Sequence, residues 1–394
     1  MQTRQFNKNI RLEIENFIAS LIYDMVNGLV FFLQYFLSNF RKSTRAKVII
    51  LFRTGGVGDM VCSIPAFRAV RKHFLGVRLI LLTKREPVFG NSQSLSRLLG
   101  NDILDKIIYY KSDDLKSLRK IYSLMIYIRK EKIDKMIYLG QYDVTLFRLL
   151  RDMLFFYFSG CRELYGFRLN KHRLFRIAQC YYRVFDSEAE RLFKLLVPLG
   201  VSQKNLDFNL PITEEDERST DILWPNSTAL QGRPKVAISP GAKMPLKRWS
   251  KENFLQLSKA LIDKYNAFIV LIGGEDTEGS CRFIKNNLGE NCLNLCAKTN
   301  FMQTAQALSR CDLIISCDSG PVHLAAAVKT PVVGIYTARD YPNCWSPYGR
   351  NHTILRHNIS CQVCLKTDCS TMSCINGISV EEVISACSTK LLHN

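Results

Sequence analysis

The sequence predicts an α/β protein made of two Rossmann-like domains that face each other across a cleft. From residue 47 onward, short apolar strand patterns alternate with helical patterns, which is typical of doubly wound parallel sheets. The alternation is interrupted by a polar stretch and then restarts, and 394 residues are enough for two such domains. We therefore expect one domain over 47–215 and a second over 216–394, after an N-terminal extension of residues 1–46.

Nine short apolar runs, rich in β-branched residues, are the predicted strands. Those of the first domain are VIILFRT (48–54), VRLILLT (77–83), KIIYY (106–110) and KMIYLG (135–140). Those of the second are VAISPG (236–241), AFIVLIGG (267–274), CLNLC (292–296), DLIISCD (312–318) and PVVGIYT (331–337). Between them, residues 201–234 are polar and irregular, which predicts a linker with one edge strand.

The charge of the chain bears on its partners. A formal net charge of +19 favours an anionic membrane surface, phosphorylated small molecules or nucleic acid, unless it reflects only a compositional bias. Residues 148–183 combine eight Arg or Lys with nine aromatic residues, which suits an anionic lipid or sugar, or else a half-buried pair of basic helices. No nucleic-acid readout motif is present, so nucleic acid is not expected as a partner.

The N-terminal extension contains the most apolar stretch, FIASLIYDMVNGLVFFLQYFL (17–37). Its length would allow it to span a bilayer, but Asp24, Asn27 and Gln34 interrupt it. The basic segment RKSTRAK (41–47) follows. We expect a helix lying in the membrane interface, with a helix packed on the protein's own surface as the alternative and a membrane span as the third.

The first motif is a glycine-rich turn between a predicted strand and a predicted helix. Its sequence is RTGGVGDM (53–60), with Arg53, Gly55, Gly56 and Gly58 ahead of Asp59. The spacing matches neither the dinucleotide fingerprint nor the P-loop, and an acid at a helix start would repel a phosphate. The helix dipole favours an ionised Asp59, which suits a general base for a sugar hydroxyl. A simple helix-capping role is the alternative interpretation.

Two further motifs follow predicted strands of the second domain. SPGAKMPLKRWS (239–250) brings Lys243, Lys247 and Arg248 onto one loop, where they fit an anionic leaving group or form a solvated basic loop. SCDSGPVHLAAAVKTPVVGIY (316–336) predicts a strand that ends before a helix start suited to binding an anion. Its candidate ligand-binding residues are Asp318, Ser319, Gly320 and His323.

With these motifs in order, the chain resembles glycosyltransferase family 9, the heptosyltransferases of lipopolysaccharide core assembly. The resemblance rests on RTGGVGDMVCSIPAFRAVRKHF, SPGAKMPLKRWS, VLIGGEDTEGS, DLIISCDSGPVHLAAAVKTPVVGIYTARD and WSPYG, and covers about residues 47–350. It implies a GT-B fold, with Asp59 as the catalytic base and Lys247 at the donor phosphates. It also implies donor contacts from Asp318, Gly320 and His323, and a ribose contact from Glu275. The N-terminal extension and the segment Thr337–Ala338–Arg339 depart from the family pattern.

The resemblance implies an inverting glycosyltransferase that moves a heptose from ADP-heptose to a lipopolysaccharide core or related surface glycan. The expected partners are a nucleotide-sugar donor, an anionic glycolipid acceptor and the membrane surface. The expected location is the cytoplasm, at the inner face of the cytoplasmic membrane. No cofactor is required by this chemistry, because fixed cations can stabilise the leaving group. A non-catalytic protein of the same fold that binds a nucleotide sugar or glycolipid is the alternative.

The C-terminal region has four closely spaced cysteines, Cys361, Cys364, Cys369 and Cys374, among fourteen in the chain. No secretory signal is recognised, so reduced thiols in a cytosolic protein are expected. The spacing C-x2-C-x4-C-x4-C also fits a structural zinc site, although it contains only one of the usual two C-x2-C pairs. Disulfides are the third interpretation.

Overall fold

The computed structural model describes residues 2–39, 46–87, 92–100, 102–170, 184–202, 205–224 and 230–391. The chain divides into two compact units. One comprises residues 1–92 and 99–207, and the other comprises 93–98 and 208–394. Each unit is built on a sheet in which the strand pairs are parallel, as expected for apolar strands covered by helices on both faces.

The first sheet has the strand order β3-β2-β1-β4-β5. Its strands are β1 (Val48–Phe52), β2 (Arg78–Lys84), β3 (Lys106–Tyr110), β4 (Lys135–Tyr138) and β5 (Glu163–Tyr165). Its helices are α1 (Gln2–Asn39), α2 (Val57–His73), α4 (Leu118–Lys130), α5 (Leu146–Phe158) and α6 (Glu188–Lys194), while most of α3 (Ser92–Leu99) belongs to the second unit. The order of strands reverses between β1 and β4, and such a switch point is where open α/β sheets bind ligands.

The second sheet has the order β11-β10-β9-β6-β7-β8, which is the Rossmann order. Its strands are β6 (Lys235–Ser239), β7 (Phe268–Leu271), β8 (Cys292–Asn294), β9 (Leu313–Cys317), β10 (Val332–Tyr336) and β11 (His352–Arg356). Its helices are α7 (Glu214–Leu223), α8 (Lys251–Tyr265), α9 (Glu278–Leu288), α10 (Phe301–Ser309), α11 (Gly320–Ala327), α12 (Ser373–Asn376) and α13 (Val380–Leu391). Here the switch point lies between β6 and β9.

The prediction of two Rossmann-like α/β domains is confirmed, and all nine predicted strands are present. Two short edge strands, β5 and β11, were not predicted. The interpretation of residues 201–234 as an irregular linker with an edge strand is wrong, because this stretch contains α7. The signal for α7 is in the sequence: the Thr213 hydroxyl accepts from the Asp216 N–H, and the Asp216 carboxylate accepts from the Thr213 N–H.

Helix α1 lies against the edge of the first sheet. Asn27 accepts a hydrogen bond from the Leu169 N–H at 2.9 Å, and Ser38 accepts one from the Leu164 N–H at 3.0 Å. Asn27 and Gln34, two of the three polar residues that interrupt the apolar stretch, thus accept from the N–H groups of Leu169 and Phe167 near an otherwise open sheet edge. This agrees with a helix packed on the protein's own surface, although α1 exposes large apolar side chains on its opposite face.

Candidate functional site

The first candidate group lies where β1 ends and α2 begins, at the switch point of the first sheet. Asp59 is in the first turn of α2, and its carboxylate accepts from the Gly56 N–H at 2.9 Å. The other carboxylate oxygen pairs with the Arg53 guanidinium at 3.1 Å. The Asp59 side chain retains 20% exposure, so it is both held and accessible to solvent. The capping role is thus present, but the buried ion pair goes beyond what a cap needs.

Gly55 is what allows the loop to fold onto the acid. Its φ is +138°, and a Cβ placed there would lie 2.2 Å from Asp59 Cγ. A side chain at position 55 would therefore displace the carboxylate. Gly56 has an ordinary φ of −82° and would meet nothing within 4 Å, while Gly58 lies in the first turn of α2. Of the loop glycines, Gly55 is the one whose close approach to Asp59 the geometry requires.

Arg53 was predicted as a loop residue on the acceptor side, and the structure places its side chain fully out of contact with solvent. The guanidinium donates to the carbonyl oxygens of Leu139 and Gly140, which follow β4, at 3.2 and 3.3 Å. It also pairs with Glu188 at 2.9 Å. Arg53 therefore connects the ends of β1 and β4 across the switch point and presents its charge to Asp59.

Glu188 was missed by the sequence analysis. It lies in the first turn of α6, far along the chain from Asp59, and its side chain is 1% exposed. Arg191, one turn later, contacts both Glu188 oxygens at 2.6 and 2.8 Å. Two arginines and two carboxylates thus form a buried group of zero formal charge. No strand end or motif marks Glu188, so no local signal could have identified it.

The pKa values of the two acids move in opposite directions. Burial raises the pKa of Asp59, Arg53 opposes that effect, and the charges of Glu188 and Glu86 add to it. Burial would also raise the pKa of Glu188, but Arg191 and Arg53 outweigh it, and the result is lowered. The helix dipole predicts an ionised Asp59 from the sequence, whereas burial, the largest influence on this carboxyl in the structure, raises its pKa. A carboxyl of raised pKa is suited to general acid–base chemistry.

A cavity of about 250 Å³ opens beside this group, at the carboxyl ends of β1 to β4. Its lining residues are Thr54, Lys84, Glu86, Tyr110, Ser112, Leu115, Gln141 and Arg148. Thr54 is part of the glycine-rich loop, and Arg148 lies in the first turn of α5. Lys84 pairs with Glu86 at 2.9 Å. The cavity therefore combines hydroxyl and amide groups with two cations and one carboxylate, a lining that suits a polar molecule. Of the basic and aromatic segment 148–183, residues 171–183 lie outside the described part of the chain.

The second candidate group lies at the switch point of the second sheet. Lys247 ends a single 3₁₀ turn after β6, and Asp318 directly follows the neighbouring strand β9. Lys247 Nζ lies 2.5 Å from Asp318 and 3.0 Å from Asp340, which follows β10. Lys247 and Asp318 are predicted site residues, whereas Asp340 is not among the predictions. Its position shortly after the predicted strand 331–337, next to the segment Thr337–Ala338–Arg339, was the available signal.

The three charges influence one another. Burial would lower the pKa of Lys247, but Asp318 and Asp340 outweigh it, so its pKa is raised and the ammonium stays charged. Burial raises the pKa of Asp318, with Lys247 opposing and Asp340 adding to the shift. A lysine held between two carboxylates is a fixed cation at a ligand-binding edge.

The other predicted donor-side residues lie on the same edge of the sheet. Ser319 precedes α11 and donates to the Cys317 carbonyl at 3.2 Å, and Gly320 is the first residue of the helix. His323 is 4% exposed, with its ring 6.4 Å from that of Trp345. Lys243 and Glu275 are exposed on the loops that follow β6 and β7. The structure thus brings Lys247 and Asp318 into contact beside the start of α11.

The four C-terminal cysteines do not form the zinc site considered from their spacing. Cys361 is exposed, and the other three are half-buried, with Cys374 in α12. In the described ranges, no group of three or more His, Cys, Asp or Glu side chains is placed to hold a metal ion. No disulfide joins any two of the described cysteines, and the reduced-thiol interpretation stays a prediction.

Comparison with known proteins places these features in a family. Residues 155–375 match the family model "Glycosyltransferase family 9 (heptosyltransferase)". Lipooligosaccharide heptosyltransferase 2 from Campylobacter jejuni is 24% identical over 340 residues, which is 83% of this chain and 94% of that protein. The chain is thus similar to this relative over nearly the whole of the relative's length.

Solved structures share the fold. A family 9 glycosyltransferase from Veillonella parvula matches with a TM-score of 0.66 at 18% identity, covering 90% of this chain and 99% of the other. The structure titled "E. coli ADP-heptose lps heptosyltransferase II" matches with a TM-score of 0.61 at 20% identity, over 88% and 98% of the two chains. These likenesses, together with the two parallel sheets, confirm the predicted GT-B architecture.

Proposed function

The chain belongs to glycosyltransferase family 9, and we propose that it transfers a heptose from ADP-heptose to a lipopolysaccharide core or a related surface glycan. The observation that carries the proposal is Asp59, an accessible carboxylate held at a sheet switch point by a buried arginine and a glycine loop. The names of the relatives, lipooligosaccharide and ADP-heptose heptosyltransferases, support the donor and acceptor classes. Whether the acceptor is the core itself or another surface glycan is the finer question, which assays with different acceptors address.

In the proposed mechanism, Asp59 takes the proton from the acceptor hydroxyl while the hydroxyl oxygen attacks the anomeric carbon. The bond from that carbon to the diphosphate breaks on the opposite face, so the configuration inverts. Arg53 and the Gly56 N–H fix the direction of the carboxylate. The step needs one base and no covalent intermediate, which agrees with a single reachable acid in this loop.

The donor diphosphate is proposed to bind in the second unit, at the start of α11. The first-turn N–H groups of the helix and the Lys247 ammonium offer positive charge to the leaving group. Lys243 adds a second cation on the same loop. Glu275 follows β7 at the place where a Rossmann fold presents an acid to a ribose, and His323 lies one turn into α11.

The acceptor is proposed to enter the cavity beside Asp59. Lys84 and Arg148 supply positive charge there, while Thr54, Ser112 and Gln141 supply hydrogen-bonding groups suited to sugar hydroxyls. Because Glu86 pairs with Lys84, the lining has only a small excess of positive charge, which accommodates an acidic or phosphorylated sugar. The glycolipid acceptor therefore agrees with the net charge of +19.

The membrane surface is proposed as a further partner, on the cytoplasmic side where nucleotide sugars are available. The segment Phe17–Asn39 of α1 is long and apolar enough to cross a membrane by length and composition, and 22% of its most apolar 18-residue window is buried. With Asn27 and Ser38 bonded to the protein, a helix lying on the bilayer accounts for the exposed apolar face better than a span does. The basic residues 41 and 42 lie outside the described residues.

The proposed function is tested by measuring heptose transfer directly. Purified protein is incubated with ADP-heptose and with lipopolysaccharide from a strain that lacks core heptose, and the product is identified by mass spectrometry and its anomeric configuration by NMR. A panel of other nucleotide sugars, screened first by thermal shift, identifies any preferred donor. Transfer with inversion is expected. Donor binding without transfer to any acceptor would favour the alternative, a binding protein of the same fold.

A further inference from the structure

The buried pairing of Arg53 with two carboxylates gives Glu188 a role of its own. Arg53 lies between Asp59 at 3.1 Å and Glu188 at 2.9 Å, and both contacts use the same terminal nitrogen. Because the Arg53 and Glu188 side chains are 0% and 1% exposed, water does not compete for the contact between them, whereas Asp59 keeps 20% exposure. The attraction that Arg53 exerts on Asp59 is therefore shared with Glu188.

We propose that Glu188 is a positioning residue for the transfer reaction, holding Arg53 against Asp59 and limiting how strongly Arg53 neutralises the proposed base. This inference rests on the proposed function, since it requires Asp59 to act as the base. Glu188 contacts neither substrate nor reacting atoms. It acts through Arg53, and Arg191 fixes it by contacts to both of its oxygens.

The packing of α6 explains why a distant residue can do this. Arg191 also donates to the Gly140 carbonyl at 2.6 Å, the same carbonyl that accepts from Arg53. Helix α6 is thus tied to the end of β4, while Arg53 ties the end of β4 to that of β1. The ends of β1 and β4 and helix α6 together orient Asp59 on α2, as a general base requires.

The charges around Asp59 set the sign of the expected effect. The groups that act on it are Arg53 from the end of β1, Glu188 from α6 and Glu86 from the loop after β2. Glu188 repels the negative charge of Asp59, so it raises the pKa of that carboxyl. When the Glu188 charge is removed, Asp59 is the only carboxylate that pairs with Arg53 in this group. The base then ionises at lower pH but is weaker when ionised.

The experiment compares pH profiles of kcat for the wild type and for Glu188→Gln, a nearly isosteric change. We expect the acidic limb of Glu188→Gln to move down by about half a pH unit or more, with a loss of kcat at neutral pH of about tenfold. Glu190→Gln is the matched control on the same helix, because Glu190 accepts from Ser187 and belongs to a capping box. It is expected to leave the limb in place. An unmoved or upward-shifted limb in Glu188→Gln overturns the proposal.

A second variant keeps the question answerable if Glu188→Gln does not fold. Arg191 is 15% exposed and therefore more replaceable. In Arg191→Met the Glu188 charge is less neutralised, so it repels Asp59 more strongly, and the acidic limb should move up. An acidic limb of the kcat profile that stays in place or moves to lower pH overturns the inference.

If Asp59→Asn retains turnover, the proposed base itself is wrong. If Asp59→Asn is inactive and the acidic limbs of the other variants do not move, only the proposed role of Glu188 is wrong.

Discussion

Lys247 and Asp318 are in direct contact, with 2.5 Å between the ammonium nitrogen and a carboxylate oxygen, at the switch point of the second sheet. Asp340 lies 3.0 Å from the same ammonium and pairs with Arg339 at 2.6 Å. The two cations and two carboxylates make the cluster formally neutral before any donor binds. Under the proposed function, a donor diphosphate competes with these carboxylates for Lys247.

Lys247→Met should therefore lower both the stability of the fold and the affinity for ADP, and the two effects can be measured separately. It leaves two buried carboxylates without their shared cation, which should cost about 3 kcal/mol of unfolding free energy. It should also reduce the affinity for ADP by tenfold or more, since charge-assisted contacts to phosphate are strong. Urea unfolding and titration calorimetry measure the two effects.

The matched control is the double variant Lys247→Met/Asp340→Asn. It removes one of the two negative charges that share Lys247 in the wild type, so it should recover part of the stability while ADP affinity stays low. Recovery of ADP affinity along with stability would mean that Lys247 acts only through the fold.

Asp59→Asn should abolish transfer without destabilising the protein. Because the folded-state pKa of Asp59 is raised, folding favours its protonated form, and this contribution to stability is lost as pH rises through that pKa. At neutral pH the ionised carboxyl therefore lowers the free energy of unfolding, and the neutral amide of Asn avoids this loss. Turnover should fall on the order of 100-fold or more, with the midpoint of thermal unfolding unchanged or higher.

The wild-type pH profile gives the companion result. A base works in its ionised form, so kcat should fall as pH falls through the raised pKa of Asp59, above the ordinary value of 3.8. Near-normal turnover in Asp59→Asn, with ADP binding retained, would show that another group takes the proton.

Gly55→Ala should be far more damaging than Gly56→Ala, although the two residues are adjacent. A Cβ at 55 would lie 2.2 Å from Asp59 Cγ at a φ of +138°, whereas a Cβ at 56 would meet nothing within 4 Å. We expect Gly55→Ala to lose at least tenfold in kcat, because the displaced carboxylate no longer meets Arg53 or the acceptor. Gly56→Ala should lose less than threefold. Equal losses in steady-state assays would contradict the proposed packing of the loop.

Sequence patterns predicted the parts of the site that lie within single motifs. Asp59, Lys247 and Asp318 each follow a strand in a recognisable turn, and parallel strands place their carboxyl ends at one edge of a sheet. Glu188 could not be found in this way, because its role depends on buried charges that meet from distant parts of the chain. Asp340, in contrast, shortly follows a predicted strand, as Asp318 does. The buried state of Arg53 was missed for the same reason as Glu188: a residue beside glycines on a predicted loop gives no sign of being enclosed.

Strand prediction succeeded where burial makes the whole run apolar, as in β1 and β9. It failed for β5, whose three residues include a glutamate and a tyrosine and lie at the edge of the sheet. It failed in the opposite direction for α7, where an acidic first turn and a threonine cap outweigh the lack of an apolar pattern.

Replacing exposed apolar residues of α1 should release the protein from membranes. Leu29 and Phe32 are 68% and 63% exposed, while Asn27 and the buried Val30 face the protein. The double variant Leu29→Ser/Phe32→Ser removes apolar area from the proposed lipid-facing side, at about 25 cal/mol per Å², and leaves the packed side intact. Flotation with vesicles containing anionic lipid should fall at least tenfold, with kcat on a soluble acceptor fragment unchanged.

The control for this prediction is Leu118→Ser/Ile222→Ser, because both residues are 85% exposed but lie on α4 and α7. Its flotation should match the wild type if α1 is the docking element. Vesicles of zwitterionic lipid alone should bind all variants weakly, since the net charge of +19 adds electrostatic attraction only to anionic surfaces. Unchanged flotation of the α1 variant on anionic vesicles would assign the exposed face of α1 to another partner and leave the proposed transfer reaction untouched.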